Sequence, residues 1–260
     1  MTTPFVTAQL FAQVSGVRHG FFGRQGGESE GDFSSLNCSP FSGDRVLVIQ
    51  RNRNRVANAL GAKTLVSNKQ VHGNTVRIIE STVDFDEICH ADGLVTSACN
   101  IAIGALGADC APVLFVDANA GIVGAAHAGW QGALSGVTDA VVNAMCGAGA
   151  TMGSIAAVIG PAIQKQSYEV GEEFREKVLD QSPIDAANCF HIHSETGRVH
   201  FDLPGYIYLR LQAAGVLAVE KVDEDTYALE DRYFSYRRSC HKNEKSYGRQ
   251  IGAICLDQPI

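Results

Sequence analysis

Apolar residues recur every three or four positions in several stretches of the chain. These stretches are residues 44–60, 130–145, 171–179 and 206–214. The spacing returns apolar side chains to one face of a helix, so it predicts helices at these places. Many of the side chains in residues 130–145 are small, which is typical of a buried helix.

Short apolar runs separated by turn residues predict strands. The runs are residues 64–66, 75–79, 101–106, 113–116, 121–126, 154–159, 219–222 and 251–256. Because helices alternate with strands, the pattern predicts an α/β fold, with a mixed β-sheet covered by helices on both faces. No linker or repeat interrupts the pattern, so residues 1–260 are predicted to form a single globular domain.

Composition and charge narrow the classes of function. The chain has 45% hydrophobic and 19% charged residues, which is ordinary for a globular protein. Its net charge of −7 argues against a surface that binds nucleic acid. Basic residues gather between Arg232 and Arg249 among acidic ones. This segment is either a solvated surface or an anion-binding edge for phosphate.

The N-terminal segment and the cysteines indicate a compartment. The chain begins without the basic start and unbroken apolar core of a signal peptide. No run reaches the roughly 20 apolar residues that span a bilayer. Eight cysteines are widely spread and include no CxxC pair, which favours reduced thiols over a disulfide scaffold. The sequence therefore predicts a cytoplasmic protein with no membrane partner.

Three segments share one form, in which a strand-like run leads into a turn that carries a reactive side chain. The turns hold His72, Cys110 and His127. Turns at strand ends are where α/β proteins place their sites. Two imidazoles and one thiolate suit zinc, and three protein ligands with one open position are typical of a catalytic zinc site. The spacing matches no zinc finger, so core or surface packing remains the alternative for each residue.

Six short motifs occur in order along the chain and together resemble the laccase-domain family, also called polyphenol oxidoreductase or YfiH-like. The resemblance extends from His19 to Arg249. It implies a zinc-dependent purine nucleoside phosphorylase that also deaminates adenosine. The motifs are Gln70-Val71-His72-Gly73, Ala91-Asp92-Gly93, Ala108-Asp109-Cys110-Ala111-Pro112-Val113-Leu114, Ala126-His127-Ala128-Gly129-Trp130, Ile159-Gly160-Pro161-Ala162-Ile163 and Phe234-Ser235-Tyr236-Arg237-Arg238.

The resemblance also implies roles for particular residues. His72, Cys110 and His127 take the family's metal-ligand positions and are the expected catalytic centre. Arg53 matches the family's Asn-Arg pair and is expected to contact phosphate or substrate, and Arg24 lies in a family loop near the site. The implied partners are purine nucleosides, such as adenosine, inosine and methylthioadenosine-type compounds, and phosphate. The implied cofactor is zinc, with copper possible at the same donors.

Two departures from the family pattern bear on this expectation. Gln131 follows Trp130 where the family commonly has arginine, which removes a cation beside the site and predicts weaker phosphate binding. Asp225 stands where many relatives have cysteine. Neither change touches the three expected ligands. Departing ammonia needs an acid during deamination, and Asp109 is a candidate for it.

Two other enzyme classes remain open. A copper polyphenol oxidoreductase, or laccase, is suggested by the family's older name, but the chain has eight histidines and one His-x-His pair, at His191 and His193. A thiol hydrolase would use Cys110 as nucleophile and His127 or His72 as base. That chemistry would fit the editing of peptidoglycan precursors. Metal content separates the hydrolase from the zinc enzyme, because a metal-bound thiolate is unavailable for attack.

Overall fold

The structure is a computed structural model that describes residues 3–80 and 88–257. The strands in these residues form two large mixed sheets and one small sheet. The order of the five-stranded sheet is β1 (Phe5–Val6), β2 (Val17–Phe22), β14 (Gln250–Leu256), β6 (Ile101–Gly107) and β3 (Thr64–Val66). Only the β3–β6 pair of this sheet is parallel.

The six-stranded sheet contains the most apolar part of the chain. Its order is β13 (Ala218–Lys221), β9 (Ala156–Ile159), β7 (Ala111–Asp117), β8 (Ile122–Ala128), β5 (Gly93–Thr96) and β4 (Val76–Ile79). Strands β7 and β8 are buried along their whole length. A small antiparallel sheet is formed by β10 (Glu169–Val170), β12 (Val199–Phe201) and β11 (Phe190–Ile192).

Helices occupy all four stretches that the apolar spacing predicts, and two further short helices, at residues 9–12 and 236–242, were not predicted. The helices are α1 (Gln9–Ala12), α2 (Val46–Ala59), α3 (Trp130–Ser135), α4 (Val137–Gly147), α5 (Glu172–Gln181), α6 (Leu203–Ala213) and α7 (Tyr236–Lys242). Residues 130–145 were predicted as one helix, but Gly136 has φ of 85° and separates α3 from α4. Glycine adopts this left-handed conformation at little cost, and it stops the first helix.

The two large sheets pack face to face, and helices cover their outer faces. Leu114 and Val123 of the six-stranded sheet share a core with Ile103 and Ile254 of the five-stranded sheet. Helix α2 packs on the outer face of the five-stranded sheet, while α4 and α6 pack on that of the six-stranded sheet. The predicted α/β class with mixed sheets and helices on both sides is confirmed.

A single covered sheet was expected, but the structure has two. Strands such as β7 are apolar on both faces and need a cover on each; helices cover one face of each large sheet and the partner sheet covers the other. No helix in the described ranges is long and apolar enough to cross a membrane.

Candidate metal centre

His72, Cys110 and His127 lie together although they are distant in sequence. The turn between β3 and β4 carries His72, the turn between β6 and β7 carries Cys110, and His127 is near the end of β8. Their ligand atoms all lie within 4.8 Å of one another. The two imidazole ring centres are 4.8 Å apart with the rings inclined at 68°. Two imidazoles and one thiol therefore face a shared point.

Asp92 organises this centre from behind. Its Oδ1 lies 2.8 Å from His127 Nδ1, which leaves Nε2 of that ring for the shared point. Its two oxygens also accept hydrogen bonds from the backbone N–H groups of Val71, His72 and Gly73, at 3.1, 3.0 and 2.9 Å. Burial alone would raise the pKa of Asp92, but the hydrogen bonds from His127 and the backbone hold it below its usual value.

The backbone at the centre is fitted closely to the side chains. His72 has φ of 61°, in the left-handed region, and the Asp92 carboxylate fixes that conformation through the turn's N–H groups. A Cβ on Gly129 would lie 2.7 Å from Cys110 Sγ and 3.0 Å from His72 Nδ1. Glycine at this position therefore leaves the space in which the three donors meet.

The side chain of Gln70 fixes the other end of the His72 turn. Its Nε2 donates to Leu106 O and its Oε1 accepts from Leu106 N–H, each at 2.8 Å. This pair of bonds extends the hydrogen-bonding of β6 to the turn. The turn that carries His72 is thus tied both to β6 and to Asp92.

The thiol and the imidazole influence each other. Burial would raise the pKa of Cys110, but the charge of His127 and the hydrogen bonds from both histidines lower it to about 6. Burial would lower the pKa of His127, but Cys110 and Asp92 raise it to about 9. The pair therefore favours a thiolate beside an imidazolium. A cation bound here would replace the imidazolium proton, as metal ions do at histidine and cysteine ligands.

A cavity of about 450 Å³ opens beside the three donors. Aromatic rings of Phe41, Tyr236 and Tyr247 line it, and Lys69 and Arg249 add two cations. Its wall, as far as the described residues form it, contains no carboxylate. The volume is in the range of small-molecule sites. The cavity can hold a flat apolar group next to an anionic one.

Arg53 lies behind the cavity wall. Its guanidinium donates to Cys38 O at 3.1 Å, to Ser67 Oγ at 2.9 Å and to Leu65 O at 2.8 Å. These contacts tie α2 to β3 and to the segment before Ser39. Arg53 is not among the residues that line the cavity, so its expected contact with phosphate stays a prediction.

Arg24 lies at a different surface. It donates to Ser34 O at 2.8 Å and to Glu230 O at 3.2 Å, and its guanidinium lies 4.7 Å from the centre of the Phe234 ring. It borders a separate shallow depression. Ser39, further along the chain, contributes to the cavity wall.

Asp109 precedes Cys110 and its carboxylate holds three groups of the C-terminal segment. It accepts from Thr226 Oγ1 at 2.8 Å, from Ser235 Oγ at 2.9 Å and from Arg237 N–H at 2.7 Å. Burial raises its pKa. Since its oxygens face these donors and it does not line the cavity, Asp109 supports the turn of Cys110 and is badly placed to protonate ammonia.

The fold and this centre define an α/β protein with a three-donor metal-binding group beside a substrate-sized cavity. Residues 18–257 match the family described as multi-copper polyphenol oxidoreductase laccase. The chain belongs to that family, which confirms the resemblance drawn from the sequence motifs.

Named relatives and a solved structure agree with this assignment. A purine nucleoside phosphorylase of Streptomyces griseus is 37% identical over 252 residues, which are 95% of this chain and 97% of the relative. An adenosine deaminase from an unknown prokaryotic organism is 34% identical over 217 residues, 79% of this chain and 82% of the relative. The crystal structure of a Neisseria meningitidis protein has a TM-score of 0.85 at 31% identity and covers 98% of this chain and 99% of its own.

Proposed function

We propose that this chain is a zinc-dependent purine nucleoside phosphorylase that also deaminates adenosine. Its substrates are purine nucleosides of the adenosine, inosine and methylthioadenosine type, together with phosphate. The observation that carries the proposal is the convergence of His72, Cys110 and His127 beside a cavity with aromatic and cationic walls. The names of the related phosphorylase and deaminase support the same substrate class.

The donor set fits zinc. Nitrogen and sulfur ligands are those that zinc prefers, and three of them leave a fourth position open for substrate or water. Asp92 supplies the outer carboxylate that typically orients a histidine ligand. When bound, zinc provides a Lewis acid at the cavity wall. Copper would fit the same donors, but zinc needs no redox partner for either proposed reaction.

The chain's own residues then bind and orient the nucleoside. The rings of Tyr236 and Tyr247, with centres 5.2 Å apart, line the cavity and offer stacking surfaces for a purine. Asp92 holds His127 with Nε2 toward the cavity. Arg53 donates to Ser67 Oγ behind the cavity wall, and its direct contact with phosphate, like that of Arg24, stays a prediction.

A thiol hydrolase is the second candidate, and one observation favours it. The pKa of Cys110 falls to about 6 next to His127, whose Nδ1 lies against Asp92. A thiolate, an imidazole and an orienting carboxylate are the parts of a cysteine nucleophile. The laccase alternative has less support, because a multicopper oxidase needs several copper centres. In the described residues one group of three metal-type donors is found.

The proposed compartment is the cytoplasm. All eight cysteines are free thiols in the structure. Disulfides are rare where glutathione and thioredoxin keep thiols reduced.

The decisive experiment combines metal analysis with chromatography of adenosine incubated with and without phosphate. We expect about one zinc per chain, adenine and ribose 1-phosphate with phosphate, and inosine without it. Cys110→Ala should remove zinc and turnover together. Cys146→Ala, a half-buried thiol in α4, is the matched control and should retain both. Loss of turnover with full zinc retention would favour the thiol hydrolase.

A further inference from the structure

The cavity wall differs in charge from the molecule as a whole. The chain carries a net charge of −7, yet Lys69 and Arg249 line the cavity and no carboxylate does so among the described residues. Of the basic segment between Arg232 and Arg249, whose role the sequence leaves open, Arg249 is the cation that reaches this wall. The Cys110 thiol at this wall is paired with His127, so the charges of Lys69 and Arg249 are not offset by a carboxylate of the described wall and favour an anionic ligand.

Arg249 is held in place by neutral groups. Its Nη1 donates to Ser39 Oγ at 3.1 Å and its Nη2 donates to Tyr247 Oη at 3.0 Å. Its guanidinium also lies 4.9 Å from the centre of the Tyr247 ring. None of the ion pairs in the described residues involves Arg249. Its charge is therefore oriented but not neutralised.

The guanidinium also has donors to spare. A guanidinium carries five N–H groups, and the two hydrogen bonds of Arg249 leave three for a ligand. Arg53 and Arg238 differ, because each places three hydrogen bonds on protein groups that are mainly backbone carbonyls. Arg237 donates to Glu169 O. None of these three arginines lines the cavity, whereas Arg249 lines it and keeps three N–H groups for a ligand.

We propose that Arg249, positioned by Ser39 and Tyr247 and assisted by the charge of Lys69, is the binding site for inorganic phosphate. This inference rests on the phosphorylase activity proposed above. A planar guanidinium can grip two oxygens of a tetrahedral oxyanion at once, which fixes its orientation as well as its position.

The bound anion then has a defined part in the reaction. An oxygen of hydrogen phosphate forms a bond to C1′ of the ribose. The bond from C1′ to the purine nitrogen breaks, and its electron pair goes to the base. The phosphate proton ends on that nitrogen, so the products are the free purine and ribose 1-phosphate. Deamination has no anionic co-substrate, so Arg249 should matter mainly to phosphorolysis.

The test compares both reactions in Arg249→Gln, Arg249→Lys and Tyr247→Phe. For Arg249→Gln we expect KM for phosphate to rise about 50-fold or more, with a matching fall in the ratio of phosphorolysis to deamination. KM of Arg249→Lys should lie between the values of wild type and Arg249→Gln, because lysine keeps the charge but loses the paired N–H groups of the guanidinium. Tyr247→Phe, which removes one positioning hydrogen bond, should raise KM by only about threefold to tenfold. Arg198→Gln, an exposed arginine paired with Glu169, is the control and should leave KM unchanged.

Calorimetric titration with inorganic phosphate gives a second readout on the same folded proteins. Binding that is present in wild type and lost in Arg249→Gln supports the site, even if wild type makes no ribose 1-phosphate. A wild type that binds phosphate but makes no ribose 1-phosphate would refute the proposed phosphorylase activity without refuting the phosphate site. Wild-type phosphorolysis with an unchanged phosphate KM in Arg249→Gln would overturn the inference. A raised KM in Arg53→Lys instead would assign the contact to Arg53.

Discussion

Two histidines are almost equally buried in this molecule, yet one binds a proton weakly and the other binds it tightly. His19, in β2, is 5% exposed, and His127, in β8, is 4% exposed. Burial lowers the pKa of His19 to about 4, although the negative charge of Glu220 raises it in part. For His127 the same burial is outweighed by Cys110 and Asp92, and the pKa rises to about 9.

The surroundings of the two rings explain the difference. His19 packs edge-on against Phe11 and Phe21, and its Nε2 accepts a hydrogen bond from Ala8 N–H at 2.8 Å. That bond requires the neutral ring. His127 instead lies between a carboxylate and a thiol. Burial alone therefore does not mark a functional histidine; an ionisable partner on each side of the ring does.

Replacing each of the two histidines in turn should give very different losses of activity. His127→Gln removes a metal donor and should lower metal affinity and kcat/KM by more than the about 10-fold to 100-fold typical of losing an outer partner. His19→Gln keeps an oxygen that can accept from Ala8 N–H and should leave kcat/KM within about twofold, at a cost of about 1–2 kcal/mol in stability. Metal content, kinetics and thermal unfolding of both variants provide the check.

Equal losses of metal in the two variants would show that burial, and not the partners, distinguishes the site. Retention of metal in His127→Gln would remove that residue from the ligand set.

A smaller effect is expected when the partner of His127 is changed and the ring is kept. Asp92→Asn replaces one acceptor oxygen by an NH2 group, which must then face N–H donors of the 71–73 turn or of His127. We expect metal affinity to fall about 10-fold to 100-fold. Competition with a chelator of known affinity measures the change.

Asp117→Asn is the matched control for that variant. Asp117 is 1% exposed and also accepts from three backbone N–H groups, those of Asn119, Ala120 and Thr151, but it is the last residue of β7, at the end of the strand away from Cys110. Its loss should lower stability and leave metal affinity unchanged. A drop in metal affinity of similar size in both variants would mean that any destabilised turn disturbs the site.

Local patterns in the sequence were sufficient for most elements of the fold. The apolar spacing of residues 44–60 corresponds to α2, and the run 251–256 corresponds to β14. The split at Gly136 and the second large sheet were not predicted. Both depend on tertiary packing: an isolated glycine is tolerated within helices, and an apolar strand does not reveal which layer covers each face.

At the site, too, local sequence patterns could not predict the contacts that depend on tertiary packing. Reactive side chains in turns marked His72, Cys110 and His127, and family motifs connected them. Asp92 was part of a motif but received no role, because its function depends on meeting a turn 19 to 21 residues away. Arg249 stood among other basic residues, and only the fold distinguishes the guanidinium that reaches the cavity from those that bind carbonyl groups.

The lowered pKa of His19 should also make the stability of the protein depend on pH. Because its pKa is lowered to about 4 in the folded protein from 6.5, the unfolded chain binds the proton more tightly. The contribution of His19 to stability is therefore fully present above pH 6.5 and is lost as the pH falls through 6.5 toward 4. Between pH 7 and 5 the loss amounts to about 1–2 kcal/mol.

His19→Gln tests this contribution because glutamine keeps an acceptor for Ala8 N–H and does not titrate. The difference in unfolding free energy between wild type and His19→Gln should be largest at pH 7 and should shrink by about 1–2 kcal/mol by pH 5. Chemical denaturation at both pH values gives the two differences. Metal-free protein is used, because release of metal from His127 and Cys110 would otherwise add to the pH dependence. A difference that stays constant with pH would show that His19 titrates in the folded protein as it does in the unfolded chain, and the contrast between the two buried histidines would then rest on His127 alone.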